Sequence, residues 1–182
     1  LDEDYEGDGL KVKEVIKRGP FDVKNTGVVA GSIITAIDGL QIKAGEDYNA
    51  LLDGKAGKRV RIDFEKAKGK KKETVVVKPI NYGELNELLY MRWVDRNRQF
   101  VDSISGGRIA YVHVRAMDSE SFRTVYKELL SDKNRNRDAV VVDERHNGGG
   151  WLHDDLCTLL SGKEYQQFVP RGQYVGRDPY NK

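Results

Sequence analysis

Ala139-Val140-Val141-Val142-Asp143-Glu144-Arg145-His146-Asn147-Gly148-Gly149-Gly150 is the stretch that decides the fold of the C-terminal half. Its short apolar run predicts a strand, Val140 to Val142, buried on both faces. The strand runs into a tight loop over Asn147 to Gly150, and a helix is expected from about Leu152 to Leu160. At such a junction free backbone N–H groups point outward, and the helix dipole adds positive potential. The place suits an anion, either a phosphate or the oxyanion of a tetrahedral intermediate. The spacing argues against phosphate: there is no G-x-G-x-x-G, and no Gly-Lys-Ser/Thr closes a Walker loop. On these residues alone, a plain glycine-rich turn stays open.

Working upstream, Ile109 to Val114 reads as a strand, and Ser119 to Leu130 as a helix with Phe122, Val125, Tyr126, Leu129 and Leu130 facing inward. Before them, Leu85, Leu88, Leu89, Trp93, Phe100 and Val101 recur at helical steps between Tyr82 and Ser103, and Gly106-Gly107 stops the pattern. Strands alternating with helices predict an α/β domain with parallel pairing. Two clear strands cannot bury both faces of a sheet, so this domain reads as incomplete. The tail from Glu164 to Lys182 has no assignable period, and Cys157 sits in an apolar stretch that suggests a small buried residue.

The texture differs before Pro79. Strands are expected over Leu10–Ile16, Ser32–Ile37, Arg59–Glu65 and Glu73–Lys78, with a turn at Asp38-Gly39 and a short helix from Glu46 to Leu52. The lysine-rich run Lys66 to Lys72 reads as a solvated hairpin tip, without aromatic neighbours for base stacking. The whole is α+β: a small, mostly antiparallel β-domain over 1–80, then an α/β domain over 81–182. In Glu6-Gly7-Asp8-Gly9-Leu10-Lys11-Val12, the glycines Gly7 and Gly9 could gather backbone N–H groups into a nest for a peptide carboxylate. The peptide would add as a strand along Leu10, Lys11 and Val12, with Tyr48, Leu51 and Leu52 as the other wall.

Charge is nearly balanced, 31 basic against 29 acidic residues, so nothing draws the chain to nucleic acid or to membrane insertion. A single cysteine excludes an intrachain disulfide and a cysteine-based zinc site. The composition is that of a soluble protein; periplasmic, secreted and cytoplasmic locations stay open. There is no leader pattern and no initial Met, so a longer parent chain is expected.

Gly9-Leu10-Lys11-Val12, followed by Val29-Ala30-Gly31-Ser32-Ile33-Ile34-Thr35-Ala36-Ile37-Asp38-Gly39, resembles a PDZ domain, with Ser32 where that family usually has aspartate. Glu87 to Arg98, Gly107 to Val114 and Val142 to Gly150 are similar to the opening helix, first strand and glycine loop of the tricorn-like serine peptidases, within the C-terminal-processing peptidase superfamily. The resemblance implies a crotonase-like peptidase domain, here incomplete, and a peptide or polypeptide substrate. It implies that Gly148 and Gly149 are oxyanion-hole donors, with the nucleophilic serine beyond Lys182 and the histidine before Leu1. On this resemblance the 182 residues alone are expected to be inactive, and a homo-oligomeric full-length parent stays open, as tricorn relatives assemble.

No serine here lies in a G-x-S-x-G elbow. His113 alternates within a strand, His146 flanks the loop, and His153 with Asp154 and Asp155 reads as a polar first helical turn. No metal and no organic cofactor are expected. Two other classes stay open: a non-catalytic PDZ scaffold with a degenerate peptidase fold, and a nucleotide-binding enzyme using the glycine loop.

Overall fold

The period-two alternation of the N-terminal half folds into one antiparallel sheet in the computed structural model, which describes residues 1–24, 26–67 and 71–179. Its strands are β1 (Leu10–Lys11), β2 (Ile33–Ile37), β3 (Leu40–Gln41), β4 (Val60–Glu65) and β5 (Lys72–Val77). The order is β1-β2-β4-β5, with β3 folded back on β2. Val60, Ile62 and Phe64 of β4 join Val12, Val28, Ile34, Ile37, Ile42 and Val77 in one buried cluster. Asp38 and Gly39 take φ of 50° and 85° between the paired Ile37 and Leu40, the two-residue turn whose twist suits a hairpin. Ser32 is fully buried, and its Oγ accepts the Val29 N–H at 3.1 Å. Serine thus closes this turn where aspartate was the expected residue.

Two expectations change in this half. β1 is only Leu10–Lys11, although pairing continues through the Val12 N–H to the Ser32 carbonyl at 2.8 Å. The helix expected from Glu46 to Leu52 is a single 3-10 turn, Tyr48–Leu51, capped by the Asp47 carboxylate on the Asn49 N–H. So short a segment cannot repay helix nucleation beyond one turn. The lysine-rich tip at Lys68 to Lys70 lies outside the described residues.

By its contacts the chain divides into two units, Leu1–Trp93 and Val94–Lys182, and the division falls within α1 (Tyr82–Ile104). This helix starts with a reciprocal capping box. Asn81 Oδ1 accepts the Glu84 N–H, and Glu84 Oε2 accepts the Asn81 N–H, both at 2.9 Å. The helix ends where Gly106 and Gly107 turn to positive φ and the Gly107 N–H reaches the Asp102 carbonyl.

In the second unit β6 (Ile109–His113) is joined through α2 (Ser119–Leu129) and the short α3 (Asp132–Arg135) to β7 (Ala139–Asp143). β6 and β7 are parallel and in register from Ile109↔Ala139 to His113↔Asp143. Asp118 caps α2 by accepting the Ser121 N–H at 2.7 Å. Val112, Val114, Val125 and Leu156 form the core, the last from α4 (His153–Leu160).

Burial of β7 is corrected: Val140 and Val141 are 36% and 40% exposed. Among the described residues β7 pairs only with β6, so one edge and much of one face carry no cover. Cys157 is half-buried rather than enclosed. The tail holds an antiparallel pair, β8 (Gln166–Phe168) with β9 (Gly176–Asp178), where no period was legible; Tyr180 to Lys182 lie outside the described residues.

Candidate active-site loop and peptide groove

The loop after β7 is held by one side chain. Asn147 Nδ2 donates to the Val114 carbonyl at 2.9 Å, and Asn147 Oδ1 accepts the Gly149 N–H at 2.8 Å. The Asn147 N–H in turn donates to the Glu144 carbonyl at 3.0 Å. The three glycines then differ. Gly150 is required by space, because a Cβ there would stand 2.6 Å from the Met117 Cβ. Gly149 has φ +82°, a backbone that side-chain-bearing residues avoid. Gly148 has neither constraint: open space surrounds its Cβ position. Its N–H has no partner among the described residues. Of the two expected donors, then, Gly148 carries the free amide and the Gly149 amide is engaged.

Beneath the loop lies an ionic cluster around the buried Asp143 carboxylate. Asp143 ends β7 at 7% exposure and accepts the Tyr111 hydroxyl at 2.6 Å. The same carboxylate takes the Arg145 backbone N–H at 3.0 Å and its guanidinium at 2.5 Å. The Arg145 bonds hold the Asp143 carboxyl well below the usual carboxylate range, against the cost of burial. Burial first, then the Asp143 bond, pushes Tyr111 up to about 12. Arg145, bonded to Asp143, is raised above its ordinary value. His113, in register with Asp143, is buried too, and burial lowers its pKa despite the nearby Asp143 charge. The strand–loop hinge is thus fixed by a satisfied buried charge.

The groove is built differently from the expectation. The Gly9 N–H donates to the Ile42 carbonyl at 3.0 Å, so it does not join an outward nest. Gly9 is demanded by packing: with φ +90°, a Cβ would lie 2.5 Å from the Ile34 carbonyl oxygen. At Gly7 a Cβ would meet the Tyr5 hydroxyl at 2.4 Å, so the Tyr5 ring covers that glycine. Val12 is buried, and both its backbone groups are bonded to Ser32 and Gly31. Leu10, Tyr48, Leu51 and Leu52 are half-buried against the core. Lys11 alone faces outward from β1. Its carbonyl accepts the Asp2 N–H at 2.9 Å, and its ammonium pairs with the Asp2 carboxylate at 2.7 Å.

Sequence reading passed over the Asn147 bracket and the Tyr111–Asp143–Arg145 cluster. The cluster depends on the parallel register that pairs Tyr111 with Val141 and His113 with Asp143. Trp151, 91% exposed beside the loop, was also missed. Among the described residues no group of three or more His, Cys, Asp or Glu could hold a metal ion. No described helix is long and apolar enough to cross a membrane.

Residues 5–82 match the model of the tricorn protease PDZ domain, and residues 108–182 match that of peptidase family S41. The tricorn protease of Thermoplasma volcanium is 27% identical over 91% of this chain and 16% of its own length. Tricorn protease homolog 1 of Streptomyces coelicolor is 30% identical over 85% of this chain and 14% of its own. The tricorn protease homolog of Saccharolobus solfataricus is 31% identical over 92% and 14% respectively. A crystal structure of the tricorn protease superposes with a TM-score of 0.64 at 25% identity, covering 93% of this chain and 18% of that one. The chain therefore spans about a seventh of the length of these relatives. With tricorn-type PDZ sequence ahead of S41 peptidase sequence, it belongs to the tricorn-like serine peptidases of family S41.

Proposed function

We propose that the full-length protein hydrolyses peptide bonds with a serine nucleophile carried elsewhere, and that this chain supplies recognition and part of the oxyanion hole. Residues 1–80 act as the PDZ domain and 81–182 as the first part of the peptidase domain. The observation that carries the reading is the Gly148 N–H, unpartnered among the described residues, in a loop that Asn147 braces. An amide fixed in place before the reaction needs no reorganisation as negative charge develops on the substrate carbonyl. Gly149 is the second donor, once its amide leaves Asn147 Oδ1. Tyr111, Asp143 and Arg145 fix the strand end on which the loop stands.

The PDZ domain receives a peptide or protein C-terminus on the open side of β1. Support comes from β1 lying at the edge of the sheet, with Lys11 turned outward. An incoming strand takes over the Lys11 carbonyl from Asp2, while Leu10 and the Tyr48–Leu52 wall offer apolar contact. Gly7 and Gly9 shape the loop rather than donate to the carboxylate.

A peptidase assay on an unfolded polypeptide tests the proposal. The full-length protein cleaves it and residues 1–182 alone do not; turnover by these residues alone overturns the assignment. A peptide with a free C-terminus binds more tightly than its amide; equal binding removes the C-terminal reading.

A further inference from the structure

We propose that the outer edge of β5 is a second docking site of the first unit, taking an extended acidic peptide segment as an added strand. Backbone parity shows what that edge presents. On β4 the Arg61 carbonyl accepts the Asp38 N–H at 2.8 Å, and the Arg61 N–H donates to the Asp38 carboxylate at 2.8 Å. Arg61 therefore faces β2, and its neighbours Val60 and Ile62 face their β5 partners, Val77 and Val75. The Pro79 carbonyl, accepting the Gly57 N–H at 2.7 Å, keeps the same parity. Backbone groups of Thr74 and Val76 thus point away from the sheet, along an edge that no strand among the described residues covers.

Beside that edge the segment from Arg18 to Thr26 stands off and leaves a groove of about 440 Å³. Val23 and Val75 contribute apolar surface, and Arg18, Lys24, Arg59 and Lys78 line it with positive charge. Charge selects the occupant. No carboxylate lines the groove, and none of these four cations has an ion-pair partner among the described residues. Asp22, the nearest acid in sequence, is bonded to the Arg18 backbone N–H at 2.6 Å. Lys11, Lys43, Lys55, Arg61 and Lys66 of the same unit, by contrast, each hold an acid within 3.2 Å. A strand alternating apolar and acidic residues would set one side chain set on the valines and the other among the cations, while its backbone pairs with Thr74 and Val76. The edge lies at the opposite end of the strand order from β1, so this occupant is distinct from the C-terminal peptide proposed above.

The test uses the full-length protein and a fluorescent peptide of alternating Glu and Val, blocked at both ends so that it offers no terminal carboxylate. Anisotropy should show binding that weakens with salt, and none for the Lys-Val counterpart. The R59E/K78E variant should lower affinity roughly tenfold or more, whereas K13E/K127E, which alters exposed cations outside the groove, should not. N-methylation of alternate peptide amides keeps the charge and should also lower affinity about tenfold, since it removes main-chain bonding. Absence of acidic-peptide binding, equal binding of the basic peptide, or indifference to R59E/K78E overturns the site. Indifference to N-methylation overturns strand addition. Unchanged thermal unfolding of the variants confirms that the loss is local.

Discussion

Two glycine turns, Gly7–Gly9 before β1 and Gly148–Gly150 after β7, look alike in sequence and do opposite things. At Gly9 the amide turns inward to Ile42, and the missing side chain makes room for the Ile34 carbonyl. At Gly148 the amide has no partner among the described residues, and nothing crowds the place a side chain would occupy. One glycine is kept by packing; on the proposed function, the other is kept by what must approach from outside. A glycine motif therefore signals presented amides only where the Cβ position is empty and the N–H is unbonded.

The contrast can be broken most forcefully at Gly9. Gly9→Ala should destabilise the first unit by roughly 3 kcal/mol, from the strained positive φ and the backbone overlap together. Urea denaturation measures it, and a loss under ~1 kcal/mol would show that the loop simply shifts. Gly148→Ala is the counterpart. Stability should hold within about 0.5 kcal/mol, because its methyl meets open space. In the full-length enzyme kcat should fall on the order of 10²-fold, because the methyl keeps the substrate carbonyl from the amide. Loss of folding without selective loss of kcat would make the two turns the same kind of object.

Asn147 sharpens the comparison at a smaller scale. Asn147→Ala removes both the Val114 and Gly149 bonds and should lower kcat about tenfold with KM little changed, as an unbraced loop presents its amide less often. Asn147→Asp keeps the acceptor for Gly149 but loses the donor to Val114, and should fall between. Equal activity of all three forms would mean the loop is held by other contacts.

What could be read beforehand follows the same division. Alternation in Val60, Ile62 and Phe64 gave a strand where the structure has one, because burial enforces the period; helical spacing from Tyr82 onward placed α1, although Val94 is its only buried residue and Phe100 is exposed. Glycine turns were located, but their amide directions were not, since direction depends on partners far along the chain, such as Ile42 for Gly9. Burial of Val140 and Val141 was over-read from their apolar character, which says what a strand tolerates rather than what lies over it. The Tyr111–Asp143–Arg145 cluster needed the β6–β7 register, a pairing no local pattern fixes.

The smallest expected effect lies under the second turn. His113 is buried beside Asp143, and burial lowers its pKa from the ordinary 6.5. The folded state therefore holds His113 neutral while the unfolded chain takes up a proton below pH 6.5. The unfolded state then binds more protons, so stability is full above pH 6.5 and falls as pH drops toward the depressed folded value. The slope inside that window stays below one proton, whose ceiling is about 1.4 kcal/mol per pH unit. Asp143 adds a loss of the same sign only at more acid pH, as the unfolded chain's carboxyl takes up a proton around its ordinary 3.8 while the folded carboxyl stays ionised. The two are separable: His113→Gln should flatten urea midpoints between pH 7 and 5 while leaving the acid limb intact. An unchanged slope in His113→Gln would place the proton uptake elsewhere and leave Asp143 as the pH-sensitive support of the loop.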